Sequence, residues 1–383
     1  MGDFYVEIGI SCLPKYTEEL CGDTVRTTAT EASVVGVVSD GLGSGVKASI
    51  LSTLTTSIAA RMFTSGVSLE DMMETIGATL PLCRERKIAY ATLTALEIRR
   101  TGQAYLAEFD APEALLLRGG QPVVLERTPR RVRGGTWTVN EAHFWMQEDD
   151  YLVCVTDGVI HAGIGAKLAL GLGETGLRNY LEQELTPQME AQTVADRILD
   201  YVHFLYDGRP GDDATALVLR TRKPRRLMVL VGPPKDPALD PVLARKLAAF
   251  PGKKVICGGT TATLVARELE RPLTIDLEQF PVDHPPSGQI PGIDLVTEGI
   301  ITLCTTAEML TDQRDRYQEN SPAGQLSQLL LESDYIDFHV GGAINPAHQN
   351  PDLPFDLALK QQVVNKIAAA LKEKGKRVQL QFY

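Results

Sequence analysis

The sequence predicts two folded parts of different class: an α+β domain over residues 1–221 and a three-layer, mostly parallel α/β domain over residues 227–383. Three observations predict this. In the first part strands come in groups, with helices gathered between the groups. In the second part short apolar strands alternate with helices. Between them lies Arg220-Thr-Arg-Lys-Pro-Arg-Arg226, a basic, proline-containing run that reads as a solvated linker and puts the boundary near residue 222.

The elements of the first part follow in order. Residues 4–11 alternate like a strand, and 32–38 form an apolar, β-branched run that ends at Asp40. Residues 44 to about 63 are helical, with Ile50, Leu51, Leu54, Ile58 and Met62 at helical spacing. Ser68 is placed to cap a second helix over 69–80, with Glu70 and Asp71 in its first turn. Strands are expected over 89–98, 103–109, 113–117, 122–125, 135–137 and 151–156, separated by turn signals such as Arg100-Thr-Gly102 and Arg118-Gly-Gly120. Helices over 175–183 and 190–206 and a strand over 215–219 complete the block.

In the second part strands are expected over 227–231, 254–257, 273–276, 299–303 and 335–340. Helices are expected over 241–249, 260–270, 306–310, 324–331 and 357–374, the last stopped by Gly375.

Composition narrows the function. The chain has 383 residues, 44% of them hydrophobic, and a formal net charge of −11. That acidity argues against nucleic acid held by phosphate neutralisation and against docking on an anionic membrane. No apolar stretch is long enough to span a bilayer, and the first residues show no secretory leader. Cys12, Cys21, Cys83, Cys154, Cys257 and Cys304 form no C-x-x-C pair, which suits reduced thiols in a cytoplasmic protein.

Three segments share one design. Ser39-Asp-Gly-Leu-Gly-Ser-Gly45 follows a strand and opens a helix, Thr156-Asp-Gly-Val159 follows another strand, and Gly211-Asp-Asp-Ala-Thr215 precedes the last strand. Gly22-Asp23 is a fourth. Glycine beside aspartate permits a sharp turn and close approach of a carbonyl to a cation. Mg²⁺ and Mn²⁺ prefer such oxygen ligands, and a two-metal site can acidify a water for in-line attack on phosphorus. Any one D-G pair is more simply a surface turn; the set of four is not. A dinucleotide reading of the glycines at 41, 43 and 45 fits badly, because the spacing is short of G-x-G-x-x-G and Asp40 would repel a pyrophosphate.

Ser39-Asp-Gly-Leu-Gly-Ser-Gly-Val-Lys-Ala48 closely resembles the signature of the sporulation stage II protein E type of metal-dependent phosphatases, bacterial relatives of the type 2C serine/threonine phosphatases. The resemblance extends to Gly22-Asp23, Thr156-Asp-Gly158, Gly211-Asp-Asp-Ala-Thr215 and the segment from Phe109 to Gly120, and covers about residues 1–220. It implies an α-β-β-α sandwich of two antiparallel sheets. It implies two Mn²⁺ or Mg²⁺ ions, with Asp40 bridging them, the Gly41 carbonyl and Asp23 binding one, Asp157 and Asp212 on the other side, and Asp213 supporting them. The implied reaction is hydrolysis of phosphoserine or phosphothreonine on a protein, without a covalent intermediate, in bacterial signalling. Relatives act on phosphorylated anti-sigma-factor antagonists, so a protein of that kind is the expected substrate. The two helices after the glycine loop act in relatives as a switch on metal occupancy, and pairing of two copies through them is a candidate assembly.

Eukaryotic relatives carry a phosphate-gripping arginine just before the first acidic motif, and residues 12–22 hold none. His161, four residues after Asp157, is a candidate general acid and otherwise a loop histidine. In the second part, Cys257-Gly-Gly-Thr-Thr261 joins a strand to a helix. Gly258, Gly259, Thr260 and Thr261 are a candidate anion site with Asp276 as a ribose-binding acid; the alternative is a tight turn capped by Thr260. Thr305-Thr-Ala-Glu308 reads as a capping box, and the polar segment 341–351 as a candidate binding loop. The competing functional reading is a phosphatase fold retained as an inactive scaffold or sensor, with a ligand bound in the second domain.

Overall fold

The computed structural model describes residues 3–80, 91–186, 188–276, 287–311, 321–343 and 355–383, without the side chains of 275–276, 287 and 355–358. The chain divides into two compact units, Met1–Lys223 and Pro224–Tyr383.

The first unit runs β1 (Tyr5–Leu13), β2 (Asp23–Ala29), β3 (Ser33–Asp40), α1 (Gly45–Thr64), α2 (Leu69–Thr79), β4 (Leu93–Arg99), β5 (Gln103–Phe109), β6 (Leu115–Arg118), β7 (Gln121–Val123), β8 (Thr128–Val132), β9 (Trp137–Trp145), β10 (Tyr151–Val155), α3 (Asp157–Ile160), α4 (Gly173–Glu184), α5 (Ala191–Leu205) and β11 (Ala214–Arg222). The strands form two antiparallel sheets, one ordered β1-β11-β10-β6-β7 and the other β2-β3-β4-β5-β9-β8.

Three apolar cores stack these elements into four layers. Val35, Val37 and Leu93 of the second sheet pack on Leu51, Met72 and Met73 of α1 and α2. Val38, Leu96 and Leu106 meet Leu116, Leu152, Leu217 and Leu219 between the sheets. Val153 and Val218 pack on Leu177, Val194, Ile198 and Val202 of α4 and α5. The architecture is therefore an α-β-β-α sandwich. Gly36 on β3 leaves room that the opposite sheet uses: a Cβ there would stand 3.1 Å from Leu217 Cδ2.

Two edge strands, β2 and β8, went unforeseen. Their exposed or half-buried Thr, Arg and Pro side chains hide the alternation, and β9 extends well past the expected 135–137. The start of the strand expected at 89–98 lies outside the described residues. The basic linker contracts. Arg220, Thr221 and Arg222 are buried in β11 opposite β1, where Glu7 Oε2 accepts from Arg222 Nε at 2.9 Å and Arg220 pairs with Asp149 and Glu7. Neutralisation by those carboxylates lets the arginines extend the strand.

The second unit contains β12 (Arg226–Val231), α6 (Asp240–Ala249), β13 (Lys253–Cys257), α7 (Gly259–Glu268), β14 (Thr274–Asp276), β15 (Ser287–Gln289), β16 (Leu295–Thr297), α8 (Ile300–Thr311), α9 (Pro322–Glu332), β17 (Tyr335–Val340), α10 (Phe355–Glu373) and β18 (Arg377–Phe382). Its seven-stranded sheet is ordered β14-β15-β16-β13-β12-β17-β18, and β15 runs antiparallel to both neighbours. Apolar residues of α8, α9 and α10 cover one face, and those of α6 and α7 the other. The strand expected at 299–303 is instead the start of α8, where Glu298 Oε2 accepts from the Ile301 N–H at 3.1 Å. A short apolar run fits a buried helix as well as a buried strand. Thr305-Thr-Ala-Glu308 accordingly lies inside α8 and caps nothing.

Candidate metal centre

The acids converge because strand ends from both sheets meet at one rim. Asp23 opens β2 and stands directly across from Asp40, which closes β3. Asp157 opens α3 just beyond β10, and Asp212 and Asp213 lead into β11, the partner of β10. Two like charges facing each other in one register oppose pairing unless a proton or a cation lies between them.

Local structure holds them there. The Asp40 N–H donates to Thr92 Oγ1 at 3.0 Å and Ser39 Oγ donates to the Thr92 carbonyl at 2.6 Å, pinning the end of β3 to the chain entering β4. Thr156 Oγ1 donates to Asp23 Oδ2 at 2.7 Å and accepts from the Thr215 N–H at 2.9 Å, so one hydroxyl ties the two sheets together at the site. The Lys15 N–H donates to Asp213 Oδ1 at 3.0 Å. Gly41 and Gly158 are required by close approach: a Cβ at either would lie 2.0 Å from a backbone oxygen, of Ala48 and of Asp213 respectively.

Asp23 and Asp213 are 5% and 3% exposed, and Asp23 Oδ1 and Asp213 Oδ2 have no hydrogen-bond partner among the described residues. Burial, then the charges of Asp23, Asp157 and Asp212, raise the Asp40 carboxyl to about 9. Burial likewise raises Asp23 to about 7, against the bond from Thr156. Burial and then Asp157 raise Asp212. With both facing carboxyls raised, the Asp23–Asp40 pair retains a proton that a cation would displace.

Asp23, Asp157 and Asp212 are thus each within electrostatic reach of Asp40. Among the described residues no three acid, histidine or cysteine side chains already close on a single point as a ligand set. The donors nevertheless suit a hard divalent cation: they are carboxylate oxygens, two are buried without a partner, and their protonation is what a cation would replace.

Residues beyond the acidic motifs also belong to the rim. Lys15 lies in the stretch 12–22, where eukaryotic relatives carry an arginine, and its ammonium acts favourably on Asp212. A lysine binds phosphate as a point charge rather than as a fork. Thr156 looked like the end of a strand; its bridging role depends on partners remote in sequence. His161 Nδ1 stands 4.0 Å from Asp157 Oδ2, and Tyr206 Oη donates to the His161 carbonyl at 3.1 Å.

In the second unit Gly258 (φ +123°) precedes α7, and no side chain caps the helix, so the expected Thr260 cap is absent. Thr261 is buried, and its Oγ1 has no partner among the described residues. Asp276 follows β13 in sequence but not in the sheet. Strands β15 and β16 intervene, which puts Asp276 roughly 14 Å from the end of β13 at about 4.8 Å per strand. The segment expected as a binding loop is described only to Ala343.

Comparison with known proteins gives the family. The family model of stage II sporulation protein E (SpoIIE) matches residues 30–222. Among solved structures, the phosphatase domain of the cell fate determinant SpoIIE from Bacillus subtilis is similar at 18% identity and a TM-score of 0.46, over 58% of this chain and 95% of that one. The RsbU and RsbW domains of Rv1364c from Mycobacterium tuberculosis are similar at 17% identity and a TM-score of 0.44, over 69% and 70%. RsbX in complex with magnesium is similar at 17% identity and a TM-score of 0.41, over 58% and 97%. A search of curated proteins finds no match.

Proposed function

The chain belongs to the stage II sporulation protein E (SpoIIE) family of type 2C-like phosphatase domains, and from that membership we propose that it hydrolyses phosphoserine or phosphothreonine on a signalling protein with the help of two Mn²⁺ or Mg²⁺ ions. The observation that carries the reading is the opposition of Asp23 and Asp40 at one rim with Asp157 and Asp212 in electrostatic reach.

In this reading Asp40 would hold both cations, Asp23 and the Gly41 carbonyl would serve one of them, and Asp157 and Asp212 would serve the other. Bound cations supply an acidified water and neutralise charge on the phosphoryl oxygens. The protein's own groups do the rest. Thr156 fixes the Asp23 carboxylate by its hydroxyl bond. Asp213, anchored by the Lys15 N–H, orients the start of β11. The Lys15 ammonium attracts the substrate phosphate, and His161 beside Asp157 is placed to pass a proton to the leaving serine or threonine oxygen. An anti-sigma-factor antagonist-like phosphoprotein fits as substrate, and the cytoplasm as its location.

The test is hydrolysis of p-nitrophenyl phosphate and of a phosphoserine peptide with Mn²⁺. Activity should vanish with chelator and fall by at least about 10²-fold in Asp40→Asn, as expected when charge stabilisation is lost. Activity surviving Asp40→Asn overturns the mechanism; Mn²⁺ binding without turnover points to a scaffold.

For the second unit we read the uncapped start of α7, at Gly258, Gly259, Thr260 and the unpartnered Thr261, as a site for a small phosphate-bearing ligand. Phosphate or a nucleotide should raise the melting temperature of the full chain, and Thr261→Val should remove that rise.

A further inference from the structure

Cys12 and Cys21 lie on the segment that carries the chain from one sheet of the sandwich to the other. Cys12 is on β1, in register with Thr215 of β11, and Cys21 stands two residues before Asp23 of β2. Both sulfurs lie on one hydroxyl: Thr215 Oγ1 is 3.4 Å from Cys12 Sγ and 3.8 Å from Cys21 Sγ. Cys12 is exposed and Cys21 half-buried, so a small solute reaches the pair from solvent.

We propose that Cys12 and Cys21 form a reversible disulfide on reaction with a peroxide, and that this bond governs cation binding at the acidic rim; the second half rests on the metal-centre reading above. The step balances. One thiolate attacks the peroxide oxygen, giving a sulfenic acid and releasing water or an alcohol; the second thiol attacks that sulfur and displaces water. Two thiols lose two electrons and two protons, and the peroxide is reduced.

The consequence for the site follows from what the crossing segment touches. A disulfide holds its sulfurs about 2 Å apart, closer than two thiols that share one hydroxyl, so closure draws Cys21 toward β1. The chain beyond Cys21 has no slack. A Cβ on Gly22 would already stand 2.7 Å from Asp213 Oδ2 and 2.9 Å from Ala48 Cβ. Displacement therefore passes to Asp23 and Asp213. Between the cysteines, the Lys15 N–H holds Asp213 Oδ1, and Glu18 Oε1 accepts from Ser44 Oγ at the head of α1. Cross-linking the two ends of this segment constrains both contacts.

The experiment treats the full chain with hydrogen peroxide, blocks free thiols and maps peptides without reductant. The expected result is a Cys12–Cys21 linked peptide two hydrogens lighter than its reduced parts. Calorimetry should then show Mn²⁺ affinity lowered by roughly 10–100-fold, the range for disturbed groups behind metal ligands, and restored by dithiothreitol. Cys12→Ser should abolish the linked peptide and keep the reduced-state affinity under peroxide. No linked peptide overturns the proposal, as does a linked peptide with unchanged Mn²⁺ affinity. If the reduced protein binds no Mn²⁺ at all, the metal-centre reading fails while the mass of the linked peptide still decides the cross-link.

Discussion

The Asp23–Asp40 pair makes the protein's stability depend on pH and on cations together. Both carboxyls hold a proton more tightly in the folded protein than in the unfolded chain, where aspartate titrates near pH 4. Their contribution is complete below about pH 4 and is lost as pH rises through about 7 for Asp23 and about 9 for Asp40. Without cations, these groups weaken the fold steadily across that window. A cation relieves the repulsion at the alkaline end and must displace protons at the acid end. Differential scanning fluorimetry should therefore give a larger Mn²⁺-induced rise in melting temperature near pH 8.5 than near pH 5.5, and Asp40→Asn should shrink the difference. A larger rise at the acid end would refute the assignment of the shared proton to this pair.

At the scale of elements, α1 shows why periodicity alone does not orient a helix. Its apolar residues run in two stripes. Leu51 is buried against α2 and the sheet, whereas Val46, Ile50 and Leu54 are 61%, 54% and 43% exposed, each a turn apart. We take this outer stripe as the contact between two copies of the chain. Ile50→Glu with Leu54→Glu should convert a dimer to a monomer in analytical ultracentrifugation while leaving the melting temperature within a few degrees; a wild-type monomer would dismiss the idea. The same limit decides how much was legible in the sequence. Apolar strands buried inside the sandwich, such as β5 and β10, announce themselves by composition, and the four acidic motifs do so because each joins an aspartate to a glycine at a strand end. Strands β2 and β8 do not, because an edge strand presents polar residues to solvent. The role of Lys15 and the bridge from Thr156 are set by pairing between distant segments. The contact of Cys12 with Cys21 likewise depends on Thr215 of β11, which no local spacing reveals.

At the scale of the molecule, the acidic rim, its supporting threonines and all three apolar cores of the sandwich belong to the unit Met1–Lys223. That unit, expressed alone, should unfold cooperatively and keep Mn²⁺-dependent hydrolysis within a few-fold of the full chain; loss of the folding transition would show that the second unit completes it. The core between the two sheets is aliphatic apart from Met146, Cys154 and the partly buried Phe144, and such contacts carry no directional preference. Alignment of one sheet over the other is left to polar links such as the Thr156 hydroxyl on Asp23 and Glu108 Oε1, which accepts from the Ala114 N–H at 2.6 Å. The sandwich is in this sense a sliding bearing with a latch. At Gly36 the sheets meet closely, with Leu217 of the facing sheet 3.1 Å from where a Cβ would stand. A methyl group there acts as a wedge, tilting one sheet against the other, and the sensitivity of the distant carboxylates to that wedge measures how far the interior tunes chemistry it never touches.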